Sequence, residues 1–221
     1  MKASAIIPAA GSGHRFGEAK QFKLLAGRSL LFHSLKPFLE SSIIQEVIVV
    51  VPDYQIDTVN RDLLSMSSGK PLKVIAGGTR RQDSVKNGVK ASVSTATLVC
   101  IHDAARPFVS ETLINKSIAA CKTTDGAVVA LRSMDTVKLS ENGIVKETLN
   151  REKIWLVQTP QTFRKDKLIQ ALNNADVKSL TATDESYLME AMGFSVALVQ
   201  GDINNFKITT MDDWKRAEYL I

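Results

Sequence analysis

Five consecutive branched apolar residues, Val47-Ile48-Val49-Val50-Val51, constrain this chain more than any other stretch. A strand with one face in water alternates apolar with polar residues. This run is apolar at every position, so it calls for a sheet covered on both faces. Strand patterns of this kind span Ala3–Ala10, Glu46–Pro52, Leu72–Ile75, Leu98–His102, Ala127–Leu131 and Ser195–Val199. Helical periodicity fills the intervals at Ser29–Leu39, Ile56–Met66, Arg81–Val93, Ser110–Cys121, Lys165–Asn174 and Asp184–Met192. The alternation predicts an α/β fold, a doubly wound and mostly parallel sheet with right-handed crossovers. With 221 residues, 44% of them hydrophobic, the chain can bury the core of one such domain spanning 1–221.

The rhythm breaks between residues 134 and 156. Thr136–Leu139 and Ile144–Glu147 flank Asn142-Gly143, the strongest short signal for a hairpin turn. A polar two-stranded hairpin is marginal alone, so it is expected to protrude as an arm and pack on a partner subunit. Charge and composition bound the rest. The formal net charge of +5 suits an anionic ligand, but the cations form no stripe with interleaved aromatics, which argues against nucleic acid. No apolar run reaches membrane-spanning length, and the first strand pattern leaves no room for a targeting peptide. Cys100 and Cys121 lack metal or redox spacing and read as buried thiols of a reducing compartment, the cytoplasm.

The first strand pattern runs straight into Ala9-Ala10-Gly11-Ser12-Gly13-His14-Arg15-Phe16-Gly17-Glu18-Ala19-Lys20-Gln21. Glycine lets a ligand approach the main chain, freed N–H groups can cradle an anion, and Arg15 and Lys20 add the charge a polyphosphate needs. Two familiar phosphate loops do not match. A dinucleotide fingerprint wants G-x-G-x-x-G with an acid about twenty residues on, and a Walker A loop ends in Gly-Lys-Ser/Thr. What stands here is A-A-G-x-G-x-R-x-G-x-x-K-Q, which resembles the signature loop of nucleotidyltransferases that activate sugar and polyol phosphates.

Two further segments carry chemistry. Gly77-Gly78-Thr79-Arg80-Arg81-Gln82-Asp83-Ser84 precedes a helix, so Asp83 and Ser84 suit either capping or contact with a base and ribose. His102-Asp103-Ala104-Ala105-Arg106-Pro107 closes a central strand. Asp103 there can hold a hard cation such as Mg²⁺ or pair with Arg106 at the surface, and Arg106 can clamp a phosphate.

These segments, with Asp135–Lys138, Arg151 and Trp155, Gln158–Gln161, Thr183-Asp184-Glu185 and Asn205–Thr209, resemble in order the motifs of the 2-C-methyl-D-erythritol 4-phosphate cytidylyltransferase family. The resemblance implies a Rossmann-like nucleotidyltransferase fold and transfer of CMP from CTP to the polyol phosphate, with Mg²⁺ on Asp103. It implies that Arg15, Lys20, Arg151 and Lys207 are catalytic. Ala9, Ala10, Gly11, Gly13, Gly78 and Ser84 would bind the nucleotide, and Arg106, Thr136, Thr159 and Thr183 the acceptor. It also implies a homodimer whose swapped arms lend Thr136 and Arg151 to the neighbouring site. Ribitol 5-phosphate is the alternative acceptor, and a catalytically silent nucleotide-binding regulator the alternative role. Ala19, Thr79 and Asn204 depart from the residues many relatives carry. Lys20 is expected to be an exposed loop cation, and His102 to pack at its strand end.

Overall fold

The computed structural model describes residues 1–11, 16–64 and 69–221. The elements run β1 (Ala3–Pro8), β2 (Leu24–Leu25), β3 (Arg28–Ser29), α1 (Leu30–Glu40), β4 (Ile44–Val51) and α2 (Ile56–Leu64). Next come β5 (Leu72–Ala76), α3 (Arg81–Ala91), β6 (Leu98–Ile101), α4 (Glu111–Ala120) and β7 (Gly126–Arg132). Strands β8 (Val137–Glu141), β9 (Ile144–Leu149) and β10 (Trp155–Arg164) precede α5 (Lys165–Val177), α6 (Glu185–Ala191), β11 (Val196–Gln200) and α7 (Met211–Leu220).

Seven strands form the central sheet in the order β11-β7-β10-β6-β1-β4-β5. All neighbours pair in parallel except β10, which is antiparallel to both β6 and β7. The apolar runs are explained by two cores, one on each face. Ala5 and Ile7, Val47, Val49 and Val51, and Leu98 and Cys100 pack with Leu35 and Phe38 of α1 and Ile114 of α4. The intervening residues Ile6, Ile48, Val50, Val99 and Ile101 pack with Val85 of α3 and Leu168 and Leu172 of α5. Successive side chains of one strand therefore enter opposite cores, each large one contributing roughly 1.5–3 kcal/mol on burial.

The chain leaves β1 toward β4 and β5 on one side, and β6 lies on the other. Strand order thus reverses between β1 and β6, and the crevice beyond their carboxyl ends is where such a sheet accepts ligands.

Besides the two-residue strands β2 and β3, two longer elements went unread in the sequence. Strand β10 holds Pro160 among glutamines and threonines, and a proline demotes a central strand. Its register to β7 slips between Val157 and Gln161, and its pairing to β6 begins only at Gln161, so Pro160 falls in the irregular stretch where no ladder bond is required. Helix α7 is mostly polar, but Thr210 and Asp213 form a capping box at its start. The expected hairpin is present as β8 and β9, a separate two-stranded sheet, with Asn142 at φ 50° and Gly143 at φ 78° in its turn. The predicted helix Ile56–Met66 is described as far as Leu64.

Helix α3 lies close on β1: a Cβ at Gly88 would sit 2.5 Å from Ile6 Cγ2. Gly→Ala inside an ordinary helix gains about 1 kcal/mol, yet here the methyl group must displace a fully buried isoleucine. Gly88→Ala should therefore lower stability by about 1–3 kcal/mol, measured by urea unfolding; a gain would show that α3 can shift freely on the sheet.

Candidate functional site

Beyond the carboxyl ends of β1, β5 and β6 lies a cleft of about 350 Å³, lined also by Lys207 from the segment before α7. Pro8 through Gly11 form one wall, Gly78 through Arg81 a second, and Asp103 through Ala105 a third. Close approach is built in. A Cβ on Gly77 would stand 2.5 Å from Ala10 Cβ, so the wall after β5 can touch the wall after β1 only with glycine there. Gln21 ties the same loop, its Nε2 donating to Ala9 O at 2.8 Å and Gly11 O at 2.9 Å.

At the start of α3, Asp83 and Ser84 both make local hydrogen bonds. Asp83 Oδ2 accepts from Arg80 N at 3.0 Å. Ser84 Oγ accepts from Gly78 N at 3.1 Å and donates to Arg80 O at 3.2 Å, although Ser84 and Gly78 both line the cleft. Lys20 differs from expectation. It is only 9% exposed, in a short 3₁₀ turn, with Nζ 5.4 Å from the centroid of Phe16. It lines the cleft from a buried position.

A second cavity of about 240 Å³ adjoins the first and shares Arg81, Asp103 and Lys207 with it. Arg106, Thr159 and Thr183 line it. The shared wall is a charge network. Asp103 Oδ1 accepts from Arg81 Nε and Nη2, both at 3.2 Å, and Oδ2 accepts from Lys207 Nζ at 2.7 Å. Arg81 Nη1 donates to both oxygens of Glu185, at 2.7 and 2.8 Å. The surface pair between Asp103 and Arg106 is therefore replaced by two other cations. Arg106 instead donates from Nη1 to Asn205 O at 2.8 Å and from Nη2 to Val157 O at 3.4 Å.

Burial alone would raise the Asp103 carboxyl, but Arg81 and Lys207 beside it hold it well below the usual carboxylate range. Burial would likewise lower Arg81, and the two carboxylates raise it instead. Glu185 moves up, chiefly because it is buried, with Arg81 opposing the shift. His102 is buried and pushed down to about 4, so the ring is neutral at physiological pH. Its Nε2 meets Arg106 O at 2.9 Å and its Nδ1 meets Thr159 Oγ1 at 2.9 Å. The Thr159 hydroxyl also accepts from Asp103 N at 3.1 Å. His102 therefore scaffolds the turn, as packing at a strand end implied.

Thr136 and Arg151 stand apart from both cavities of their own chain. Thr136 is exposed before β8, and Arg151 Nη1 donates to Met134 O at 2.9 Å. Gly13 and Arg15 lie outside the described residues. Arg81 and Glu185 were missed as site residues: each sat in a quoted motif, but only folding shows that α3 and α6 start on the same cavity wall.

Among the described residues no group of three or more His, Cys, Asp or Glu could hold a metal ion. Asp103 is the one acid lining the larger cavity among those residues. Magnesium takes one or two carboxylates and completes its shell with phosphate oxygens and water. An ionised carboxylate whose Oδ2 accepts one hydrogen bond retains lone-pair capacity, so the donor set fits a magnesium ion carried in with a polyphosphate. No helix among the described residues is long and apolar enough to cross a membrane.

Comparison with known proteins agrees with this geometry. Residues 3–221 match the family described as 2-C-methyl-D-erythritol 4-phosphate cytidylyltransferase (IspD). The Geobacter metallireducens protein of that name is 39% identical over 227 residues, covering 100% of this chain and 98% of that one. The Halalkalibacterium halodurans protein of the same name is 40% identical over 223 residues, covering 100% and 97%. The crystal structure of 4-diphosphocytidyl-2C-methyl-D-erythritol synthase from Anaerococcus prevotii superposes with a TM-score of 0.88 at 32% identity, covering 99% of this chain and 97% of the other.

The neutral His102 has a measurable consequence. Its folded pKa lies below the ordinary 6.5, so the unfolded chain binds the proton first, and stability falls as pH drops from about 6.5 toward about 4. Thermal melts across that range should steepen in the wild type and flatten in His102→Gln, which cannot titrate. Identical pH slopes would mean the ring is protonated in the folded state.

Proposed function

Since the chain belongs to the 2-C-methyl-D-erythritol 4-phosphate cytidylyltransferase family, we propose that it transfers CMP from CTP to 2-C-methyl-D-erythritol 4-phosphate, the acceptor in its relatives' printed names. The observation that carries this reading is the pair of cavities divided by the Arg81–Asp103–Lys207 wall. One compartment adjoins the glycine loop and suits a nucleotide; the other has basic and hydroxyl groups and suits a polyol phosphate. A phosphate oxygen of the acceptor attacks the α-phosphorus of CTP. The new P–O bond forms as the bond to the β-phosphate oxygen breaks, and pyrophosphate leaves.

Both reactants are anions, so their approach is opposed by charge. A cation about 4 Å from a phosphate offsets about 4 kcal/mol at an effective dielectric of about 20. Lys20 would meet the triphosphate, Lys207 would stand at the junction of the two ligands, and Arg106, Thr159 and Thr183 would receive the acceptor. Ala9, Ala10, Gly11, Gly78 and Ser84 would contact the nucleoside through main-chain and hydroxyl groups. The acceptor phosphate has a second pKa near ~6 and needs no base, which suits a site whose histidine is neutral and committed to scaffold bonds. Asp103 would hold Mg²⁺, which when bound would supply positive charge to offset that of the phosphates.

The arm completes the reading. Leu139, Ile144 and Val145 on β8 and β9 are exposed, as are Leu156 and Val157 at the start of β10. A second copy swapping its arm across would cover this apolar surface and bring Thr136 and Arg151 to the neighbouring cavity. The setting is the cytoplasm, which suits two free buried thiols, Cys100 and Cys121, with Cys100 pushed up to about 11.

Pyrophosphate release with CTP, Mg²⁺ and either polyol phosphate tests the assignment; preference for ribitol 5-phosphate, or binding without release, would overturn it. Lys20→Ala should lower kcat by ~10²–10³-fold, the scale of losing one preorganised charge-stabilising group. Mixing Lys20→Ala with Arg151→Ala should restore about a quarter of wild-type activity, because half the dimers are mixed and each has one intact site. Failure to complement would place Arg151 in the site of its own chain.

A further inference from the structure

The C-terminal helix α7 is not a distant cap but a neighbour of the cationic wall. Trp214, 3% exposed, lies 5.7 Å from Phe16 with the rings tilted by 56°. Phe16 stands within the glycine loop, between Arg15 and Gly17 in sequence, and Lys20 Nζ stands 5.4 Å from its centroid. Lys23 Nζ approaches both rings, 5.5 Å from Phe16 and 5.2 Å from Trp214, and pairs with Glu18 at 2.8 Å. The indole is itself fixed, its Nε1 donating to Glu218 Oε1 at 2.8 Å. The start of α7 is fixed by the Thr210–Asp213 capping box, and Ile208 N donates to Ala105 O at 2.9 Å.

A cation within about 6 Å of a ring face is drawn to the ring's quadrupole, and a tilted aromatic pair holds its own geometry. The stack Trp214–Phe16–Lys20 therefore transmits the position of α7 to an ammonium on the wall of the larger cavity. The same C-terminal stretch carries Lys207 to Asp103, which also lines that cavity. We infer that Trp214 is a positioning residue for the reaction: acting through Phe16, it sets where Lys20 meets the triphosphate, and its indole reports nucleotide occupancy. The inference rests on the cytidylyl-transfer reading.

A role in positioning Lys20 differs from simple packing in which substrate it affects. Trp214→Leu removes the aromatic face but keeps an apolar side chain, and should lower kcat/KM for CTP by ~10–100-fold, the scale of a displaced catalytic group. KM for the polyol phosphate should change less than about threefold, since that cavity does not touch α7. Trp214→Phe keeps a ring against Phe16 and should recover most of the loss. The chain has two tryptophans, so the difference in emission between wild type and Trp214→Phe isolates the Trp214 indole from Trp155. Adding CTP with Mg²⁺ should change that difference spectrum, and CMP, which lacks the β- and γ-phosphates, should change it less.

Unaltered CTP kinetics in folded Trp214→Leu, a KM for the polyol phosphate that rises as much as the KM for CTP, or a difference spectrum blind to CTP would each overturn the inference. Should Trp214→Leu not fold, Trp214→Phe and the emission measurement still decide. Wild-type pyrophosphate release is measured first. Its absence would sink the cytidylyl-transfer reading, whereas its presence with a silent Trp214 would sink only the positioning role.

Discussion

An ionised carboxylate sunk at the reversal point of a parallel sheet has to be paired, because a buried charge without a partner costs several kcal/mol. Asp103 meets that demand with Arg81 from α3 and Lys207 from the segment before α7. Three stretches far apart in sequence are thereby drawn to one point. The same contact makes the partition between the two cavities, so the requirement of charge pairing and the shape of the site have one origin. Glu185 extends the network by holding the other edge of the Arg81 guanidinium, which leaves that group little freedom to swing into either compartment.

This arrangement keeps cations in place without letting them repel one another apart. Arg81 and Lys207 face Asp103, and Arg81 also faces Glu185, so both cations are paired before any ligand enters. The positive groups of this wall are thus already oriented, the condition under which preorganised charge can lower a barrier without reorganisation. The nearby histidine adds no charge. Its ring is neutral and spans Thr159 and the Arg106 carbonyl, so it stiffens the turn that presents Asp103.

Much of the framework was legible before any coordinates. Runs without polar interruption, such as Val47–Val51, could come only from strands buried on both faces, and the two cores on the two faces of the sheet account for every position of that run. The Asn142-Gly143 turn was equally plain, because few residue pairs tolerate its dihedrals. Strand β10 was not legible. Its proline and polar residues deny the pattern of a central strand, and the register slip that excuses Pro160 is a property of its neighbours. Helix α7 hid for a related reason: its stripe is carried by Trp214 and Ala217 alone among the buried residues, too few to show a period.

By itself the sequence determined the α/β alternation, the glycine loop and the residue types at the candidate site, since these follow from local periodicity and from side-chain chemistry. Only the tertiary structure decided that strand order reverses between β1 and β6, that Asp103 pairs with Arg81 and Lys207 rather than with nearby Arg106, and that Phe16 packs on Trp214 of α7. Those outcomes depend on which distant segments share a surface. Burial and charge pairing between them are long-range terms, and no window of sequence contains both partners.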